Sequence, residues 1–225
     1  MTFSQKIRSL SAQTEFTAVL VLVFGISFVR NIKLLFIPLT EPAISNGHLL
    51  RLIFLESAIY LIVGWGLLQR DWSFRRIGLK PTWKETGEGF LVFVLVLVLL
   101  TIYAPLKRAL GGAIDPHSLV APGIDFGLIA LASLINPIFE ETFECGYIIT
   151  WFSARGLPWV GVGVNCAVRM VCHLYKGLAG AIEVGVLGLI FGWWYQRNGR
   201  LWPVVVAHML ADFVSLVTIS RLLTK

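Results

Sequence analysis

Charged side chains are scarce in this sequence: they make up 14% of 225 residues, against about 25% in an ordinary soluble domain. With 56% hydrophobic residues and a mean hydropathy of +0.78, the chain cannot cover a water-facing surface with polar groups. That excludes disordered, collagen-like and coiled-coil classes. Cysteine is sparse too. Cys145, Cys166 and Cys172 all lie in apolar stretches without a CxxC pair, so a disulfide framework is excluded and they read as reduced packing residues. No alternating, turn-separated strands of barrel type appear, nor an internal repeat, a low-complexity tract or a second domain. No small-x-small cleavage pattern follows the apolar run Phe16 to Val29. Arg30 and Lys33 follow it instead, so the N-terminal segment reads as a retained anchor.

What remains is a single all-α integral membrane domain spanning 1–225, a polytopic bundle of about seven or eight transmembrane helices. A spanning helix needs about 20 mostly apolar residues. Seven stretches qualify, near 16–37, 48–69, 89–106, 125–152, 157–175, 178–196 and 201–222. Lipid forces each backbone to satisfy its polar groups within a helix. Connections are expected at Pro38 to Gly47, Arg70 to Thr86, Gly111 to Gly123 and Gly199–Arg200. In the fifth stretch, Asn165 is expected to cap a shortened helix, with Leu157 to Val164 at the interface. Net charge is +6. The cations concentrate at Arg70, Arg75, Arg76, Lys80 and Lys84, which reads as a cytoplasmic loop rather than a nucleic-acid surface. Arg155, Arg197 and Arg200 are expected on the same side. Trp193, Trp194, Tyr195 and Trp202 read as interface anchors.

Only Gly89 to Leu106 is free of charge across a whole span. A charge at the bilayer centre costs at least ~2.5–3.5 kcal/mol, so ionisable residues in spans face the bundle interior and are functional candidates. Three late stretches place such groups one helical turn apart, on a shared face. Glu140 pairs by spacing with Glu144, Arg169 with His173, and His208 with Asp212. Glu141 lies beside the first pair. A carboxyl group set in an apolar wall can become a competent base near neutral pH. Pro137 removes the donor to the Ser133 carbonyl, inviting a kink and local polarity above the glutamates. Together the groups could activate water and stabilise an oxyanion, or bind zinc through Glu140, His173 and His208. No HExxH motif is present and the ligand spacing is scattered, so a metal is not favoured. Arg51, Glu56 and Glu183 read as structural pairs or snorkelling side chains. A proton- or ion-coupled transporter is the alternative that buried carboxylates and histidines equally allow.

The ordered trio Glu140-Glu141-x-x-x-Cys145-Gly146, Arg169-x-x-x-His173 and His208-x-x-x-Asp212 resembles the CAAX-protease and bacteriocin-processing (CPBP, or Abi) family of intramembrane proteases. The resemblance covers roughly 125–215, a CPBP-like catalytic core. It implies an intramembrane endopeptidase in a membrane, expected to be bacterial, acting on a CAAX-type lipidated protein or a bacteriocin or leader peptide. It implies catalytic roles for Glu140 and His173 on the attacking water and for His208 at the oxyanion. Asp212 would orient His208, and Glu141, Glu144 and Arg169 would support. The family usually has Arg where Cys145 stands and Phe where Arg169 stands, so Arg169 is expected to supply the missing cation from a neighbouring helix. These departures also keep open a catalytically weakened scaffold or immunity protein.

Overall fold

The computed structural model describes residues 2–34, 36–37, 42–109 and 119–223. The expected connections at Pro38 and at Gly111 with Pro116 fall outside the described residues. A short helix α1 (Phe3–Arg8) precedes α2 (Ala12–Lys33), α3 (Asn46–Leu68) and α4 (Trp83–Ala109). Then come α5 (Phe126–Glu141), α6 (Pro158–Cys172), α7 (Gly177–Asn198) and α8 (Trp202–Leu222). The starts follow from local chemistry. Ser11, Ser45 and Asp125 each accept a hydrogen bond from the backbone N–H three residues on, filling an orphan donor. Pro158 opens α6, where its missing N–H costs nothing, and Gly199 at φ +62° closes α7.

The architecture is all-helical among the described residues, apart from an isolated parallel bridge between Ile44 and Val120. Six helices are long and apolar enough to cross a membrane, and Pro158–Cys172 is a shorter apolar one. The chain is thus an integral, multi-pass membrane protein. At 15 residues, α6 spans only about 22 Å of a hydrocarbon layer about 30 Å thick. The sequence expectation for this stretch needs correction. Asn165 caps nothing: it lies inside α6, fully buried, and its amide donates to the Gly188 carbonyl at 2.9 Å.

The basic loop and the N-terminus share one end of the bundle. Arg70 pairs with Glu15 and donates to the Ile7 carbonyl at 2.8 Å, while Trp72 and Tyr147 donate to the same carboxylate at 3.1 and 2.9 Å. The turn before α8 joins them there, with Leu201 N–H donating to the Gly78 carbonyl at 3.0 Å. Trp151, which carries Arg155 against its ring, packs at a tilt against Phe16 near the start of α2. The Ile44–Val120 bridge marks the opposite end.

The core gathers Val92 and Val96 of α4, Phe143, Ile148 and Ile149, and Val204 and Val205 of α8. Helices α4 and α8 approach closely because Gly89 has no side chain. A Cβ there would lie 2.6 Å from Val206 Cβ and 2.9 Å from the Pro203 carbonyl. Gly89→Ala should therefore destabilise the protein by about 1–3 kcal/mol through overpacking, read as a lowered unfolding midpoint in detergent. An unchanged midpoint would show that the two helices can part at no cost.

Candidate active site

Helix α5 does not end at Glu141. Its α-helical geometry passes through Pro137, and the backbone then widens into a π-helical stretch, Thr142–Ile149, before closing with Thr150–Ser153. The departure expected at Pro137 thus appears one turn later, directly after the two glutamates. Wide turns of this kind recur at functional sites. Here the turn carries Glu144 and Cys145, both buried.

Across from it, α6 sends Arg169 into the bundle. A Cβ at Gly188 on α7 would sit 2.8 Å from Arg169 Cδ, so the bare glycine makes room for the side chain to lie flat. Arg169 Nη2 is 2.6 Å from both oxygens of Glu141, and Glu144 Oε2 is an ion-pair contact at 2.8 Å without hydrogen-bond alignment. Nε donates to Asn165 Oδ1 at 3.2 Å. Glu141, Glu144 and Arg169 are each no more than 1% exposed, so one cation neutralises charge that lipid and apolar side chains cannot solvate. The guanidinium approaches Cys145 Sγ to 4.0 Å. It therefore lies beside the position where the resemblance places an arginine.

Glu140 is set differently. Its Oε2 is buried but hydrogen-bonds to nothing among the described residues. Arg169 Nη1 lies 4.0 Å away and His208 Nε2 3.9 Å. His208 donates from Nδ1 to Glu141 Oε1 at 2.6 Å, leaving Nε2 between Glu140 and Asp212, whose Oδ1 is 3.5 Å distant. The expected His208–Asp212 contact is thus present but loose, and the tighter partner is Glu141. His173 closes α6 and bonds through Nδ1 to the Arg169 carbonyl at 2.9 Å. A carbonyl can only accept, so Nδ1 carries the proton and Nε2 is left as an acceptor. The ring of Phe191 backs the cluster, 5.5 Å from the Arg169 guanidinium and 5.8 Å from the His208 ring.

All these elements meet at one cavity of about 430 Å³. Glu140, Glu144, Arg169, His173, His208 and Asp212 line it, and it extends past Arg30 and His48 to Val120, at the end opposite the basic loop. Glu141 alone of the sequence candidates stays behind its wall. Asn136 was not singled out from the sequence, and Glu56 was read there as a structural or snorkelling side chain; both line the cavity. Asn136 donates from Nδ2 to Asp212 Oδ2 at 3.2 Å; its place one turn before Glu140 was a usable signal. Glu56 of α3 lines the cavity with one buried, unpartnered oxygen, where a structural pair was expected. Glu183 also faces the cavity, paired with Lys107 at 2.5 Å. Among the described residues, no three His, Cys, Asp or Glu side chains are grouped to hold a metal ion.

A polytopic helical bundle with carboxylates, imidazoles and a guanidinium around an intramembrane cavity defines a class of membrane protein with a polar site inside the bilayer. Residues 122–214 match the family model described as type II CAAX prenyl endopeptidase Rce1-like. The match covers the helices that carry the three motifs and bears out the CAAX-protease resemblance over that segment. It points to a protease, hence a hydrolase, as the activity class. No curated protein and no solved structure gives a significant match to the chain.

Proposed function

We propose that this protein is an intramembrane endopeptidase that hydrolyses a peptide bond of a membrane-associated substrate, CAAX-type or leader peptide, with a water activated by Glu140. The observation that carries the reading is Glu140 on the cavity wall, its buried Oε2 3.9 Å from His208 Nε2 and 4.0 Å from Arg169 Nη1 without a hydrogen bond to either. A carboxylate oxygen with no protein hydrogen bond keeps its lone pairs for a third group. A water held there donates one proton to Glu140 and its other hydrogen to His173 Nε2, the free acceptor of that ring. Attack forms the C–O bond and moves the carbonyl electron pair onto oxygen. His208, with Nδ1 held by Glu141, turns Nε2–H to that oxyanion. Glu140 returns its proton to the leaving amine as the C–N bond breaks. The Arg169 pairs with Glu141 and Glu144 fix the frame on which these groups stand.

The test is cleavage by the purified protein in liposomes, using a lipidated CAAX-type peptide and a leader peptide, with products identified by mass. In this scheme no step passes through a metal. Cleavage should therefore persist, within about twofold, after dialysis against a strong zinc chelator. Loss on chelation with recovery on added zinc would overturn the glutamate-only chemistry. Absence of any cleavage, together with proton or ion flux that depends on Glu140, would replace the endopeptidase with a transporter.

A further inference from the structure

The three motifs leave one chemical gap. Asp212 stands where an asparagine would offer a neutral N–H donor to the oxyanion, and an ionised carboxylate has none to offer. Beside Asp212 on the cavity wall is the amide of Asn136, on α5. Its Nδ2 donates one hydrogen to Asp212 Oδ2 at 3.2 Å. An amide nitrogen carries two hydrogens, and no other acceptor for Nδ2 occurs among the described residues. Asn136 lines the same cavity as Glu140 and His208 and precedes Glu140 by four residues, so both project from one face of α5. Asp212 in turn lies 3.5 Å from His208 Nε2. Asp212 thus contacts both donors, one through each carboxylate oxygen.

We infer that Asn136 is a second oxyanion donor, its free Nδ2 hydrogen doing from α5 what an asparagine at position 212 would do from α8, with Asp212 fixing the amide's orientation. This rests on the endopeptidase reading. In the attack step the carbonyl electron pair moves to oxygen, and the Asn136 N–H and the His208 Nε2–H both donate to it. Neither proton is transferred, and both bonds relax when the amine leaves.

The alternative role for Asn136 is structural, holding Asp212 in place. The two roles separate in a pair of variants. Removing one preorganised oxyanion donor costs about 100- to 1,000-fold in kcat. Asn136→Ala should therefore lower kcat by about 100-fold with KM changed less than threefold. Adding Asp212→Asn to that variant places an amide on the facing helix and should restore kcat at least tenfold. A positioning role predicts no recovery, because Asp212→Asn discards the very carboxylate being positioned. Unfolding midpoints in detergent are measured alongside. If Asn136→Ala is poorly folded, Asn136→Ser, which keeps a polar side chain but has no amide N–H to reach the substrate, should show the same kcat loss. Activity of Asn136→Ala within threefold of wild type, or a loss that Asp212→Asn does not repair, overturns the inference and leaves the endopeptidase standing. Failure of the wild-type protein to cleave any peptide overturns both.

Discussion

Glu140→Gln should reduce cleavage by about 100- to 10,000-fold, the usual contribution of a positioned general base, while the protein remains folded. Glutamine keeps the volume and a carbonyl oxygen but cannot take a proton from water. The fold should tolerate the change because Oε2 makes no hydrogen bond among the described residues, and His208 Nε2 and Arg169 Nη1 lie 3.9 and 4.0 Å away. Removing its charge leaves no tight pair broken. Glu141→Gln is the informative contrast. Glu141 is fully buried and holds both Arg169 and His208 at 2.6 Å, so its loss should lower the unfolding midpoint as well as the rate. Matched kinetics and melting curves for the two variants would separate a base from a brace. Equal melting losses in both, with activity surviving in Glu140→Gln, would reverse the assignment.

The second large effect concerns the buried cation. Arg169→Leu strips the guanidinium from Glu141 and Glu144, both at most 1% exposed, and breaking a buried pair from one side costs about 3–5 kcal/mol. Most of that is the penalty of leaving carboxylates with no counter-charge. Cys145 lies 4.0 Å from the Arg169 guanidinium and is fully buried on the π-helical turn. An arginine introduced there enters the space that Arg169→Leu vacates. The double variant Arg169→Leu with Cys145→Arg should therefore recover more folded and active protein than Arg169→Leu alone, measured as yield after gel filtration and as cleavage rate. No recovery would mean that the cation must arrive from α6, where Gly188 leaves room for it.

Much of this arrangement was legible in the sequence because lipid penalises charge so heavily. Ionisable residues inside apolar runs had to face inward, and Glu140, His173 and His208 do line one cavity. The departure from the family pattern at Cys145 pointed to Arg169 as the cation near the glutamates, which it contacts at 2.6 and 2.8 Å. What spacing could not supply was the third dimension. It coupled His208 to Asp212 along α8, whereas the tighter partner is Glu141 on another helix. It coupled Arg169 to His173, and the bond that forms runs from the ring to the Arg169 backbone carbonyl. The π-helical widening at Thr142–Ile149 has no residue signature of its own, so the position of the backbone irregularity was read one turn early, at Pro137. Asn136 was overlooked because a neutral amide carries no desolvation penalty large enough to stand out. Glu56 was read as a structural or snorkelling side chain because a single carboxylate without a partner one turn away gives no sign of the cavity it lines.

Water-edited solid-state NMR in lipid, with labelled histidine and glutamate side chains, tests most directly whether Glu140, His173 and His208 share a hydrated space inside the bundle. Signal should transfer from water to both imidazoles and to the Glu140 carboxyl within the time seen for exposed side chains. Transfer as slow as that to the fully buried Ile148, at any of the three, would mean that no common water reaches them and that hydrolysis has no place to occur.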